Sequence, residues 1–196
     1  MRFSVPLAVL LKEMLDMAHS ARAMRFLLNE QEVLVNGVRV RRLDASAGLF
    51  DVVAFPTLKA NYRIVFNTLG KLHAIPISGE DAKTVPSKIT SKQMLAGKKL
   101  QLGFHNGKTL LVAKSDEKVG STILLGIDGK VHSSFPLEVG VFVVVISGKH
   151  VGCNGVITEC KDGVITLKTG DDSLLTRSSH VFALGKEKSA IKITET

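Results

Sequence analysis

The sequence has no tryptophan, one tyrosine and only two cysteines. The low cysteine count and the lack of long apolar runs exclude several classes of protein. Cys153 and Cys160 are too few for a disulfide framework, and they cannot supply the four ligands of a structural zinc site. The longest apolar run, residues 141–146, is far shorter than the roughly 20 residues of a membrane helix. No secretory signal is recognisable at the N-terminus. We therefore expect a cytoplasmic protein with no membrane partner.

Motifs of the common enzyme classes are also missing. The sequence contains no Gly-x-Gly-x-x-Gly, no Gly-x-x-x-x-Gly-Lys-Ser/Thr and no His-Glu-x-x-His. The histidines are scattered, and no two have metal-ligand spacing: His19, His73, His105, His132, His150 and His180. We therefore expect no catalytic residue, no metal, no cofactor and no small-molecule substrate.

What the chain does have is a moderate positive charge and enough apolar residues for a core. Hydrophobic residues make up 45% of the chain, the formal net charge is +8 and the pI is about 9.6. This excess favours an anionic partner, and nucleic acid is the first candidate. Seven of the eight arginines lie in the first 63 residues. Because guanidinium pairs with phosphate in a fixed, bidentate geometry, this part is the better candidate for recognition.

The first 55 residues predict two helices followed by a hairpin. Apolar residues between positions 7 and 18 recur at spacings of three and four, which is the helical period. Ser20 predicts the cap of a second helix, on which Arg22 and Arg25 lie three residues apart and point toward one partner. From residue 33 the apolar spacing changes to two, and Asn36-Gly37 predicts a tight hairpin turn.

Three further arginines follow the predicted hairpin turn: Arg39, Arg41 and Arg42. Successive residues of an extended strand point to opposite sides. Arg41 and Arg42 therefore cannot both face the same partner, and we expect at least one of them to be solvated or paired with an acid.

After residue 56 the pattern is β almost throughout, with Asn-Gly and Asp-Gly turns. Central strands are predicted at residues 62–66, 72–77, 100–104, 109–113 and 122–127, with short helical turns near 79–82 and 90–96. Five more strands are predicted at 141–146, 155–160, 163–168, 174–177 and 181–184, which have the proportions of a small barrel. Helices and strands do not alternate, so the predicted fold class is α+β and mostly β.

Two segments resemble known RNA-binding motifs. Ser20-Ala21-Arg22 and residues 33–40 resemble the alpha-L module, a helix-hairpin unit found in ribosomal proteins, pseudouridine synthases and tyrosyl-tRNA synthetase. The spaced glycines of residues 147–157 resemble the KOW motif, a turn between two strands of an SH3-like barrel. Glycine there permits left-handed backbone angles and close backbone approach. The resemblance makes Lys149 and His150 candidates for RNA contact, beside Arg22, Arg25, Arg39, Arg41 and Arg42.

These segments occur in one order along the chain, with residues 62–71 between them and residues 179–186 after them. In this order the sequence resembles the archaeal and eukaryotic small-subunit ribosomal protein S-four family. The resemblance implies an alpha-L module at residues 1–55, a central β domain at 56–138 and a KOW barrel at 139–196. It also implies a structural ribosomal protein of the small subunit that binds ribosomal RNA and neighbouring ribosomal proteins. Two alternatives stay open: a KOW-containing transcription or translation factor, and an RNA-modification enzyme with an alpha-L targeting module.

Overall fold

A computed structural model describes residues 3–95, 99–113, 115–170, 172–186 and 188–193. Within these ranges the chain is mostly β, with two short α-helices and several antiparallel sheets, so the predicted class is confirmed at this level. The chain forms two compact units. The first contains the described residues of 1–67, 71–85 and 192–196, and the second contains those of 68–70 and 86–191. The division into three domains at residues 55 and 138 remains a prediction.

The first unit combines a small sheet with its helical segments. The sheet pairs β1 (Ser4–Pro6) with β4 (Ser46–Gly48). The helical segments are α1 (Leu7–Val9), a π-helical turn (Leu10–Met14) and α2 (Ala21–Glu30). The predicted cap of the second helix is confirmed, because Ser20 Oγ accepts a hydrogen bond from the Ala23 backbone N–H at 3.2 Å. The helical segments contribute these buried apolar side chains to the core: Leu7, Leu10, Leu11, Met24 and Leu28.

A five-stranded antiparallel sheet completes the first unit. Its spatial order is β3 (Val38–Arg39), β2 (Leu34–Val35), β5 (Val52–Phe55), β6 (Ala60–Phe66) and β7 (Leu72–Pro76). Short 3₁₀ turns cover Pro56–Leu58 and Asp81–Lys83. The predicted hairpin is confirmed: Asn36 and Gly37 have φ angles of 50° and 79°, as a turn matched to the strand twist requires. The predicted boundary after residue 55 falls between β5 and β6, which pair in this sheet.

A buried polar network fixes the hairpin to β5. Asn36 Nδ2 donates to Asp51 Oδ1 at 2.7 Å, and the Gly48 backbone N–H donates to Asp51 Oδ2 at 2.6 Å. Asn36 Oδ1 in turn accepts from the Val52 backbone N–H at 2.9 Å. Asn36 and Asp51 are both buried, so these bonds form where water does not compete for them. Asn36 therefore both turns the chain and attaches the turn to its neighbouring strand.

Arg63, on β6, is completely buried. Its Nη2 donates to the backbone carbonyl oxygens of Asp81 and Thr84, at 2.7 and 2.8 Å. Burial lowers the pKa of this guanidinium to about 10, because the surrounding protein replaces the water that would solvate its charge. Arg63 is one of the seven arginines in the first 63 residues. Because it is buried and holds the 81–84 segment to the sheet, it does not contribute to a binding surface.

The first sheet of the second unit contains five strands. Their spatial order is β10 (Thr109–Val112), β9 (Leu100–Phe104), β8 (Thr84–Met94), β11 (Thr122–Gly126) and β12 (Val131–Phe135). The helical turn predicted at residues 90–96 is wrong as far as Met94, because β8 continues through that position; Ala96 lies outside the described residues. The reason is pairing: Ser91 to Met94 face Gly103 to Leu100 on β9.

The second sheet of this unit has the five strands predicted near the C-terminus. Their spatial order is β16 (Asp172–Arg177), β15 (Val164–Thr169), β14 (Asn154–Lys161), β13 (Val141–Val145) and β17 (Val181–Lys186), and a 3₁₀ turn covers Ser178–His180. Gly155 shows the close backbone approach that was predicted for this segment. A Cβ there would collide with the Lys168 carbonyl oxygen on the adjacent strand.

Lys88 is a buried cation inside the second unit. Its Nζ donates to the carbonyl oxygens of Ser178, Ser179 and Val181, at 3.3, 3.4 and 2.6 Å. These bonds attach β8 to the turn that precedes β17. Burial lowers the pKa of the Lys88 ammonium from 10.5 to about 8, since the charged form loses its water.

This lowered pKa makes the stability of the protein depend on pH. Between about pH 8 and 10.5 the unfolded chain still binds a proton that folded Lys88 has released. The free energy of unfolding should therefore rise with pH across this window. Below the window, the folded protein carries the full cost of burying the charged Lys88 ammonium. Relative to the variant K88M, we expect a gain of about 1 to 3 kcal/mol between pH 7.5 and 10.5. Urea unfolding followed by circular dichroism measures this difference, and parallel pH profiles of the two proteins would contradict it.

Candidate nucleic-acid interface

Helix α2 presents two of the predicted arginines side by side. Arg22 and Arg25 are both exposed, and their spacing of three residues places them next to each other on the helix surface. Neither forms an ion pair with a described residue of the chain. Both charges are therefore available to an external anion.

Arg39 extends this charged surface onto the hairpin. It is exposed on β3, and its Nη2 donates to the backbone carbonyl oxygen of Asn29 at 3.3 Å. Asn29 lies in the last turn of α2, where carbonyl groups lack partners within the helix. Since Asn29 is four residues after Arg25, this bond places the guanidinium of Arg39 at the C-terminal end of α2, one helical turn beyond the position of Arg25. We call Arg22, Arg25 and Arg39 together the arginine face.

Arg41 and Arg42 lie beyond the end of β3, and they differ in their partners. Arg42 Nε donates to Asp44 Oδ1 at 2.9 Å, and both side chains are exposed. The hydrogen bond and charge of Asp44 raise the pKa of Arg42, and Arg42 in turn lowers the pKa of the Asp44 carboxyl. Arg42 is thus partly neutralised by its own neighbour. Arg41 is exposed to solvent.

Lys149 and His150 belong to the second unit and are described separately. They lie in the turn between β13 and β14, where Lys149 is exposed and His150 is half-buried. The turn uses left-handed glycines as predicted: Gly148 and Gly152 have φ angles of 92° and 88°. The His150 carbonyl accepts from the Cys153 backbone N–H at 3.1 Å and closes the turn.

Three other features of the described part of the chain concern metal ligands, free thiols and membrane-spanning helices. No group of three or more His, Cys, Asp or Glu side chains in those ranges has an arrangement that holds a metal ion. Cys153 and Cys160 are free thiols. Across the same ranges, no helix is long and apolar enough to cross a membrane.

One functional candidate on α2 escaped the sequence analysis. Phe26 is 67% exposed and borders an open groove of about 470 Å³, which is also lined by Met17, Ala18, Arg22, Leu27 and Gln31. The sequence carried a signal for it. The apolar stripe of α2 runs through Met24, Leu27 and Leu28, and Phe26 falls outside that stripe, next to Arg25.

The fold and the surface together define a basic, β-rich binding protein whose first unit displays exposed arginines on a helix and a hairpin. Comparison with known proteins gives the family. Residues 58–131 match the model of "Ribosomal family S4e". The small ribosomal subunit protein eS4 of Methanocella arvoryzae is 31% identical over 96% of this chain and 82% of its own length, and that of Archaeoglobus fulgidus is 34% identical over 95% and 81%.

A solved structure agrees with these relatives. The 30S ribosomal protein S4e from Thermoplasma acidophilum superimposes with a TM-score of 0.79 at 27% identity, over 93% of this chain and 95% of that one. The chain belongs to the S4e family of ribosomal proteins. The predictions of a small-subunit ribosomal protein, structural and without enzyme activity, are therefore confirmed. This membership removes the RNA-modification enzyme and the transcription or translation factor from consideration.

Proposed function

We propose that the chain acts in the small ribosomal subunit by binding ribosomal RNA through the arginine face. The supporting observation is that Arg22, Arg25 and Arg39 are exposed, lie on adjoining elements and have no acidic partner among the described residues. A helix and a hairpin that meet in this way contact phosphates on both sides of an RNA bend. Arg41, Arg42, Lys149 and His150 are secondary contacts in this proposal.

We further propose that the three segments predicted from the sequence have separate roles. Residues 1–55 would act as an alpha-L module, 56–138 as a central β domain and 139–196 as a KOW barrel of the SH3-like type. In support, the five strands β13–β17 form one sheet, and the turn between β13 and β14 carries the left-handed glycines of that motif. Neighbouring small-subunit proteins would cover part of the remaining surface, and the protein's contribution is to hold RNA helices in one relative placement.

The salt dependence of RNA affinity tests whether phosphate contacts dominate binding. We assume that the candidate residues contact six to eight phosphates. In a plot of log affinity against log salt concentration, each contact should then add roughly 0.7 to 0.9 to the magnitude of the slope. Affinity for small-subunit ribosomal RNA of the same organism should then fall about a thousandfold between 50 and 200 mM KCl. Filter binding at five salt concentrations measures the slope. A nearly flat dependence would exclude the arginine face as the main determinant.

A further inference from the structure

Phe26 occupies a position that folding does not explain. Its ring is 67% exposed on α2, one helical turn after Arg22 and directly after Arg25. The core of the first unit takes Met24 and Leu28 from this helix, and Phe26 is not part of it. A large aromatic side chain on a charged helix surface gains little from burial, because most of it stays in water. The face of the ring is therefore free to contact a ligand.

The surroundings of the ring indicate what kind of ligand fits. The groove beside Phe26 is lined mainly by apolar groups from Met17, Ala18 and Leu27, with Arg22 along one side. A flat, partly apolar group that sits next to negative charge would match the apolar lining and the guanidinium of Arg22.

We propose that Phe26 is a stacking platform for one unpaired base of ribosomal RNA, with the neighbouring phosphates held by Arg22 and Arg25. This inference rests on the proposed function, since it assigns a further contact of the same surface. Sequence-specific RNA recognition generally uses unpaired bases stacked on aromatic side chains. Charge complementarity favours RNA over an apolar protein segment, because the guanidinium groups of Arg22, beside the groove, and of Arg25, next to Phe26 in sequence, have no acidic partner in the described chain.

The absence of tryptophan from the sequence gives a direct test, because the variant F26W carries a single tryptophan at the stacking position. We expect F26W to bind small-subunit ribosomal RNA of the same organism as tightly as the wild type, with its fluorescence quenched on binding. F26L keeps an apolar side chain but loses the ring face, and it should bind roughly 5- to 100-fold more weakly. The matched control is L175A, which removes an equally exposed apolar side chain, 69% exposed, from the second unit.

The outcomes separate this inference from the proposed function. If F26L and L175A bind alike, or if F26W fluorescence does not change on binding, the stacking platform is excluded. If F26L binds RNA normally but no longer enters small subunits, Phe26 contacts a protein and the inference is overturned. If neither F26L nor reversal of Arg22 and Arg25 weakens RNA binding, the proposed role of the arginine face is wrong. If the reversal weakens binding but F26L does not, the proposed function stands and only the stacking platform is excluded.

Discussion

Reversing the charges of Arg22 and Arg25 together (R22E/R25E) is expected to weaken binding to small-subunit ribosomal RNA by roughly 100- to 1000-fold near 100 mM salt. The variant removes two phosphate contacts and places two negative charges against the RNA backbone. Both side chains are exposed and unpaired among the described residues, so the fold should be unaffected. Filter binding measures the affinity, and the fluorescence of Tyr62, the sole tyrosine, reports the integrity of the first unit.

Two controls separate a local contact from a general charge effect. R22Q/R25Q removes the contacts without adding repulsion, and it should lower the magnitude of the salt slope by about 1.5 to 2. K161E/R177E makes the same change in net charge at exposed positions of the second unit. If that variant loses as much affinity as R22E/R25E, overall charge and not the arginine face determines binding.

Replacing Asp51 with alanine should lower the free energy of unfolding of the first unit by about 3 to 5 kcal/mol. Asp51 accepts hydrogen bonds from the Asn36 side chain and the Gly48 backbone N–H, at 2.7 and 2.6 Å. The alanine variant leaves both donors buried without an acceptor, and it also releases the hairpin turn from β5. Urea unfolding followed by Tyr62 fluorescence measures the loss, because Tyr62 pairs with Val53 in the same sheet.

A matched variant identifies the cause of this loss. D51N has nearly the same shape and keeps one acceptor oxygen, so it should retain one of the two bonds and lose about half as much stability. In the double variant N36A/D51A the effects should be clearly less than additive, since the two residues share one network. Additive losses, or a D51A protein as stable as the wild type, would show that the network does not stabilise the hairpin.

Much of the fold was predictable wherever the determinants are local. Asn36-Gly37 specifies its hairpin because both residues tolerate positive φ, and Ser20 specifies the start of α2 because its hydroxyl satisfies a free N–H. The five C-terminal strands were visible in short apolar runs between glycine-rich turns. Local pattern failed between Thr90 and Met94, where pairing with β9 imposes strand on a polar segment.

The buried cations were not predictable, because they depend on partners that are far away in sequence. Lys88 meets carbonyl groups some 90 residues further along the chain, and composition alone suggests a surface lysine. Arg63 belongs by sequence to the arginine-rich N-terminal part, yet it is completely buried. The exposed site was easier to predict from sequence. The spacing of Arg22 and Arg25 was sufficient to place them side by side on one helix, whereas the bond between Arg39 and Asn29 could be found only from the folded structure.

That bond between Arg39 and the last turn of α2 has a consequence for the kinetics of assembly. Because the hairpin and the helix are joined before RNA arrives, association does not pay the entropy of ordering them. In the proposed function, encounter with RNA is then governed by electrostatic attraction and not by a folding step, which favours fast capture at low salt. In the proposed function, such a preorganised surface binds most tightly the RNA conformation that already has the complementary bend, and it stabilises that conformation.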